Sequence, residues 1–426
     1  MSHKNFDWYG WGLTLLSSAF LGIVVVVFSF VGLWLLGLYR AEAGIFVLDA
    51  VSFSLCVLSL FLGCSLIFVA KPIGFNSKLL LVSSIVSSLF TYFCVNGLWF
   101  WIFYEMSIFP LLFLLVLESP YSERYVASWY LLGYVVFSSL PMLLCILCIG
   151  GMVGTYDFQV WFLGGQSDNV FLVYILLAVM FITKIPLVPF YIWLPIVHAE
   201  ASSPVSVLLS GFVMKLGLLG VLRFCYSVLS EYVFSGVYIV ICLSFAVLFF
   251  FSASRELDGK RWLAFLSLAH IVIAAVCMNL CYYDNACLSF YYSLGHGLSA
   301  GVTFLFLWLV YEACGSRNWA VLKSYLSSGL FMRCLMVGCV CSAASIPPTV
   351  NFFSEVLILC DSAYSGFIFV LLMSIYLFVG GLVPVFLVGC LLTRHCSLSF
   401  GCGSLISYFG SVVFLMCWCY ALFLVF

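Results

Sequence analysis

Long apolar stretches, separated by short polar ones, follow one another along the whole chain. A helix needs about 20 apolar residues to cross a bilayer. Stretches of this kind predict spans at 11–38, 46–70, 79–98, 99–117, 125–150, 169–195, 205–229, 233–253, 262–281, 286–310, 330–361, 364–392 and 405–426. They lack the residue-by-residue alternation of membrane barrel strands, and the longest polar gap, near 151–168, is too short for a soluble domain. The pattern predicts an all-α polytopic membrane protein with about 13 transmembrane helices.

Composition supports this class, and the charge distribution predicts an orientation. The chain is 66% hydrophobic and only 7% charged, which excludes a soluble globular domain. Counting crossings places these cations on one side: Lys4, Lys71, Lys78, Arg124, Arg255, Lys260, Arg261, Arg317, Lys323, Arg333 and Arg394. Arg40 and Arg223 fall on the other side. This bias predicts that the N-terminus and the 196–204 loop face the cytoplasm- or matrix-like side, with the C-terminus opposite.

Two predicted spans contain prolines that a continuous helix does not tolerate. Three prolines follow Lys184 within 184–195, and Pro347 and Pro348 interrupt the second span. A proline inside a helix removes an amide donor and clashes with a preceding carbonyl. A kinked structural helix explains either break alone, but two interrupted spans in corresponding positions are typical of inverted-repeat transporters.

The spacing of the breaks predicts two repeats of opposite orientation. Five predicted crossings separate the breaks, and an odd number turns the second unit upside down. We expect N-terminal transmembrane helices at 1–78, a first five-helix repeat at 79–229, a second, inverted repeat at 233–392 and a C-terminal helix at 393–426. Both breaks, at 185–195 and 346–351, should be unwound and should face a polar interior and not lipid.

Six ionisable residues lie inside apolar spans: Glu105, Lys184, Lys215, His270, His296 and Glu355. A charge near the bilayer centre costs between about 3 and about 15 kcal/mol, so such groups pair with one another or line a hydrated path. Proton affinity in such a set depends on the distance between amine and carboxylate, and histidine can relay protons between them. The set predicts proton movement, with Glu105 paired to Lys184 and the other four at similar depth. A structural salt bridge and hydrogen-bonded core histidines are the alternatives.

The segment 184–223 resembles the antiporter-like membrane subunits of respiratory complex I. The residues that carry the resemblance are Lys184, Pro186, Pro189, Trp193, Leu194, Pro195, His198, Glu200, Ala201, Lys215, Gly217 and Arg223. Similar family motifs surround Glu105 in 103–110, His270, His296 and the run from Pro347 to Glu355. Most of the family carries lysine where Glu355 stands, and one branch carries glutamate. That residue and the chain length predict this branch.

The resemblance implies proton translocation driven by quinone chemistry elsewhere in the complex. Glu105 would partner Lys184, Lys215 and the two histidines would relay protons, and Glu355 would be the terminal exit group. The implied partners are the other membrane-arm subunits, especially antiporter-like subunits 2 and 5, together with membrane lipids and no nucleic acid. The implied location is the mitochondrial inner membrane, with the positive loops toward the matrix.

The resemblance also implies that cofactors belong to partner subunits. NADH, FMN, Fe–S clusters and ubiquinone would be bound there, because this chain has no nucleotide loop, flavin fingerprint or Cys₄ motif. Cys145 and Cys148 are interpreted as small apolar residues and not as a metal site.

The chain departs from the family pattern in three places. Ile196 replaces a usual lysine, Ser202 replaces a usual proline, and the predicted helix count is one below the family's 14.

Three other functions remain open at this point. A subunit of a multi-subunit Na⁺/H⁺ antiporter would share the lysines but usually has lysine at position 355. A haem-binding cytochrome-b-type subunit would use His270 and His296 as ligands. A structural scaffold without transport would leave the intramembrane lysines unexplained.

Overall fold

The computed structural model describes residues 8–30, 40–69, 73–164, 168–280, 286–326, 329–393 and 406–425. Its first helices are α1 Trp8–Phe30, α2 Ala50–Phe68, α3 Phe75–Phe93, α4 Gly97–Glu118, α5 Arg124–Leu131, α6 Ser139–Val153, α7 Phe158–Gly164, α8 Asp168–Lys184, α9 Trp193–Glu200, α10 Ser203–Leu208, α11 Met214–Gly220 and α12 Tyr226–Val233. They continue as α13 Gly236–Arg255, α14 Gly259–Leu280, α15 Ala286–Cys314, α16 Trp319–Leu326, α17 Leu330–Ala343, α18 Val350–Ser365, α19 Phe367–Leu392 and α20 Ile406–Ala421, which ends in a 3₁₀ turn, Leu422–Val425.

The helical membrane class is confirmed, with one small exception. Among the described residues, 8 helices are long and apolar enough to cross a membrane, and four shorter apolar helices accompany them. The helix count of 13 stays a prediction. The predicted span at 46–70 begins too early, because Phe46–Leu48 pairs with Ala41–Ala43 as an antiparallel hairpin of strands β2 and β1. Gly44, with φ of 62°, makes the turn.

Helix α2 begins after this hairpin because Asp49 caps it. The carboxylate of Asp49 accepts the backbone N–H of Ser52, and the Ser52 hydroxyl oxygen accepts the N–H of Asp49 (2.8 Å each). This capping box satisfies amides that the first turn leaves free. Burial would raise the pKa of Asp49, but Arg223, 2.6 Å away, and the Ser52 hydrogen bonds hold that pKa below its usual value.

One local structure occurs twice, at corresponding points of the two predicted repeats. The loop before α4 bridges to the loop before the short helix α7, where Gly97 N–H donates to the carbonyl of Tyr156 (2.8 Å). The loop before α14 bridges in the same way to the loop before α16, where Gly259 N–H donates to the carbonyl of Arg317 (3.0 Å). Each unit also packs its first two helices together, α3 against α4 and α13 against α14. This recurrence supports the internal repeat, whose exact boundaries remain a prediction.

The two bridges lie on opposite sides of the protein. The loop after α4 places the Tyr121 ring 4.0 Å from the guanidinium carbon of Arg317 and 5.2 Å from the amine of Lys260. The end of α4 and the beginning of α14 therefore share one side, so α4 and α14 run in opposite directions. We call this side, marked by Arg124, Lys260 and Arg317 around Tyr121, the basic side. This geometry agrees with the predicted inversion.

Both predicted breaks are unwound. Helix α8 ends at Lys184 and α9 begins at Trp193, while α17 ends at Ala343 and α18 begins at Val350. The first break is therefore three residues shorter than predicted, since Trp193–Pro195 is helical. The second break covers 344–349, two residues before the predicted 346–351. A carbonyl freed in this break, that of Val188, accepts the Tyr238 hydroxyl of α13 (2.7 Å).

The breaks face the interior only in part, which corrects the prediction that both would be enclosed. Their first residues, Ile185 and Ala344, are buried, whereas Pro189, Pro347 and Pro348 are exposed on the outside of the chain. Proline has no N–H to leave unsatisfied, so these positions tolerate an apolar surrounding better than others in the break would.

Candidate functional site

Glu105 and Lys184 form an ion pair between two helices of the first unit. The Lys184 amine lies 3.9 Å from a carboxylate oxygen of Glu105 and 4.2 Å from the centre of the Tyr104 ring. Lys184 is fully buried, and the Glu105 side chain is 16% exposed. Lys184 also closes α8, where a cation interacts favourably with the free carbonyls of the helix end. The predicted contact between the two side chains is present.

Lys215 is held without a carboxylate partner. Its amine donates to the carbonyl of Ser210, and no carboxylate of the described residues lies within 4.0 Å of it. The predicted span 205–229 is not a continuous α-helix, because π-helical segments, Leu209–Val213 and Val221–Cys225, flank α11. Widened turns of this kind are frequent at functional sites, and here the first one precedes Lys215 directly.

Helix α11 packs against the first break through a glycine. A Cβ at Gly217 would lie 2.8 Å from the Ile185 side chain and 3.2 Å from the backbone nitrogen of Ile185. The absence of a side chain lets α11 approach the end of α8, so the helices that carry Lys184 and Lys215 are in direct contact.

His270, Glu355 and two tyrosines form a buried cluster in the second unit. His270 Nδ1 lies 2.7 Å from the Tyr376 hydroxyl, 3.0 Å from the Tyr292 hydroxyl and 3.8 Å from Glu355 Oε1. The same Glu355 oxygen accepts the hydroxyls of Ser345 (3.0 Å) and Tyr292 (3.4 Å). A carboxyl, an imidazole and hydroxyls at these distances can exchange protons by direct hydrogen bonds.

His296 connects this cluster toward Lys215. The rings of His296 and His270 lie 5.3 Å apart, and neither ring nitrogen of His296 has a hydrogen-bond partner among the described residues. The amine of Lys215 is within electrostatic range of both histidines. The six predicted residues thus form one pair, Glu105–Lys184, and one cluster, His270–His296–Glu355, with Lys215 near the cluster but touching neither group. Their common depth in a membrane remains a prediction.

Sequence reasoning missed the hydroxyl members of the cluster. Tyr292 stands four residues before His296, so both face the same side of α15, and this spacing was a usable signal. Tyr376 lies in the strongly apolar helix α19, which holds no charged residue, and carries no such signal. Tyr104, whose ring lies beside Lys184, is the residue directly before Glu105 in the sequence.

The grouping of possible ligand side chains bears on the metal and haem alternatives. Within the described ranges, no three His, Cys, Asp or Glu side chains are grouped to hold a metal ion. The rings of His270 and His296 pack directly against each other, which leaves no space for a haem between them.

Comparison with known proteins identifies the family. The family model described as "NADH:quinone oxidoreductase/Mrp antiporter, TM" matches residues 94–380. NADH-ubiquinone oxidoreductase chain 4 of Ceratitis capitata is 30% identical over 328 residues, covering 73% of this chain and 71% of that protein. Chain 4 of Caenorhabditis elegans is 27% identical over 295 residues, covering 69% of each chain.

Solved structures show the same fold. A chain of respiratory complex I from Thermus thermophilus, solved with bound NADH, aligns with a TM-score of 0.78 and 20% identity over 97% of this chain and 95% of that chain. A chain of the Mrp complex from Dietzia sp. aligns with a TM-score of 0.72 and 17% identity over 89% of this chain and 73% of that chain. At these identities the likeness establishes the fold alone.

The fold, the broken helices and the buried charges define an antiporter-like transmembrane subunit. The chain belongs to the NADH:quinone oxidoreductase/Mrp antiporter family. Within that family it falls in the branch of NADH-ubiquinone oxidoreductase chain 4, a membrane subunit of respiratory complex I. The branch that Glu355 and the chain length predict is therefore confirmed.

Proposed function

We propose that this chain carries protons across the membrane through its buried Glu, Lys and His residues, as part of complex I. The observation that carries the proposal is the second-unit cluster, in which Glu355, His270 and two tyrosine hydroxyls form a connected set deep inside an apolar bundle. Buried ion pairs and polar clusters stabilise a fold weakly, because desolvation offsets their attraction. Proton movement explains why the chain keeps these groups in its interior.

The Glu105–Lys184 pair acts as the control element. Its distance of 3.9 Å is longer than a hydrogen bond, so the pair can tighten or separate with small movements of α4 or of the α8 end. When Glu105 moves away or takes up a proton, Lys184 loses its counter-charge and releases its proton toward Lys215. A pair of this kind converts a local shift into proton movement.

Lys215 and the histidines act as the relay, and Glu355 acts as the terminal group. A proton that leaves Lys215 is accepted by His296, passes to His270, and reaches Glu355 through the Tyr292 hydroxyl. Each transfer leaves the donor ready to be reprotonated from the preceding group. Glu355 then releases the proton on the side opposite the positive loops.

The partners and location complete the proposal. Redox chemistry takes place in other subunits, which hold NADH, FMN, Fe–S clusters and ubiquinone, and the neighbours in the membrane arm include antiporter-like subunits 2 and 5. The protein resides in the mitochondrial inner membrane with its basic side toward the matrix, as the positive-inside bias supports.

Replacing Lys215 by Met tests the proposed function. Methionine keeps much of the side-chain length but holds no proton, so the relay is cut between the two units. Removing a proton-transfer group costs about 10²-fold or more, and proton translocation per assembled complex, measured in liposomes during NADH oxidation, should fall accordingly. Lys323→Met, at a side chain hydrogen-bonded to Thr393 near the surface, is the control. Unchanged translocation in Lys215→Met refutes the proposed function.

A further inference from the structure

Lys260 is a buried lysine that the relay does not use. The positive-loop pattern places it in a loop, but the structure places it in the first turn of α14 with only 2% of its surface exposed. Its amine donates to the carbonyl of Ala201 (2.9 Å) and lies 5.2 Å from the Tyr121 ring. No carboxylate of the described residues comes within 4.0 Å of this amine. The carboxylates of Asp258 and Glu200 attract it from farther away, but a buried amine without a close counter-ion is costly to keep charged.

The neighbouring Arg317, on the same side, has the contacts of a cation that stabilises the fold. Arg317 pairs with Asp258 at 3.2 Å, donates to the carbonyl of Ala199 and stacks on Tyr121. These contacts hold the end of α9, whose free carbonyls favour nearby cations. Lys260 shares the contacts to the end of α9 and to Tyr121, but it has no carboxylate of the described residues within 4.0 Å. Unlike arginine, a lysine amine can also release its proton.

Three serine hydroxyls lead from Lys260 to Lys215. Ser202, Ser206 and Ser210, which we call the serine ladder, are spaced four residues apart and are all at least nine-tenths buried. Ser202 directly follows Ala201, the residue that Lys260 binds, and the carbonyl of Ser210 accepts the amine of Lys215. The Ser206 N–H donates to the carbonyl of Ser202 (3.0 Å), and the Ser210 hydroxyl donates to the carbonyl of Ser206 (3.0 Å). The three residues therefore follow one another from the start of α10 into the π-helical segment before Lys215.

The hydroxyls of the ladder are placed to pass protons. Those of Ser202 and Ser206 have no hydrogen-bond partner among the described residues, although both are buried. Buried hydroxyls are normally satisfied, so a partner such as water is expected beside them. His198 precedes the ladder by one turn, also has two unpartnered ring nitrogens, and lies within electrostatic range of both Lys260 and Lys215.

Resting on the proposed function, we propose that Lys260 and the serine ladder form the route by which protons from the basic side reach Lys215. The Lys260 ammonium gives its proton to a ladder hydroxyl or a bridging water, which passes a proton on to the neutral amine of Lys215. The Lys260 amine then takes a proton from water on the basic side. One proton enters and one reaches Lys215, so charge balances.

Replacing Lys260 by Arg separates proton transfer from anchoring. Arginine keeps the positive charge and the donor to Ala201 but does not release its proton in proteins. Proton translocation per assembled complex in liposomes should fall about tenfold or more in Lys260→Arg, and likewise in Ser206→Ala, which removes the middle hydroxyl. The controls are Lys323→Arg, and Ser65→Ala on α2, where the hydroxyl bonds only its own helix.

The results for the three variants distinguish failure of the ladder from failure of the proposed function. Normal translocation in either Lys260→Arg or Ser206→Ala overturns the proposal and leaves Lys260 as a cationic anchor for α9. If Lys260→Arg fails to assemble, Ser206→Ala alone decides. Lys215→Met, measured in parallel, separates the two levels: its loss of translocation beside normal ladder variants refutes the ladder only, and its normal translocation refutes the proposed function itself.

Discussion

At the scale of single residues, a few of the protein's charges lie where they are most expensive. Lys184 and Lys215 are fully buried, and Glu355 is 5% exposed. Only Lys184 has a carboxylate of the described residues within 4.0 Å of its amine, and even that contact is long. Removing the partner of a buried charge destabilises a protein more than the intact pair stabilises it. We therefore interpret these buried residues as proton-transfer groups and not as contributors to stability.

The Glu105–Lys184 contact can be tested by neutralising the acid. In Glu105→Gln the volume is kept while the charge is lost, so the complex should assemble. Its rate of proton translocation should fall about tenfold or more, because Lys184 loses the counter-charge that controls its proton. The measurement is proton translocation during quinone reduction, normalised to assembled complex. Glu118→Gln, at the end of the same helix, is the matched control. Full coupling in Glu105→Gln would show that the pair is structural.

The sequence predicted charged site residues better than neutral ones. A Lys or Glu inside an apolar run is conspicuous, and each of the six predicted residues is at least partly buried. Tyr376 was not predicted because tyrosine is common at many membrane positions, and only the fold brings its hydroxyl to His270. Lys260 was assigned to a loop because burial at a helix end depends on which neighbouring loops cover it.

At the scale of elements, interruptions of the helices position the site. Proline spacing predicted both unwound segments, because the missing amide acts locally. The π-helical segments around α11 have no proline and were not predicted, since they depend on packing around Lys215. The β-hairpin before α2 was also missed, because its strands are only three residues each and merge with the apolar run that follows.

Gly217→Ala tests the contact between α11 and the first break. Alanine is the better helix former by about 1 kcal/mol, but its methyl group would lie 2.8 Å from Ile185. Overpacking typically costs about 1–3 kcal/mol, so the complex should assemble in lower amount and denature at a lower temperature. Gly133→Ala, where nothing lies within 4 Å of the added Cβ, should not be destabilised. Equal thermal stability of the two variants would contradict the close approach.

At the scale of the whole molecule, helices α4 and α14 of the two predicted repeats run in opposite directions. The odd number of predicted crossings anticipated the opposed directions of α4 and α14. It could not place the charges, because equivalent helices carry different residues: α4 carries Glu105 and α14 carries His270. The repeated scaffold is therefore readable from hydropathy and prolines, whereas the line from Lys215 to Glu355 depends on the tertiary arrangement.

The central claim is that protons leave through Glu355, and Glu355→Gln tests it most directly. Glutamine can keep the hydrogen bonds to Ser345 and Tyr292 but cannot take up and release a proton at neutral pH. The decisive measurement is the proton-to-electron ratio of the assembled variant complex in liposomes, beside Glu123→Gln at an exposed loop position. The account predicts a reduced ratio in Glu355→Gln and an unchanged one in Glu123→Gln. A wild-type ratio in Glu355→Gln would contradict it and leave Glu355 as a buried acid in a broken helix.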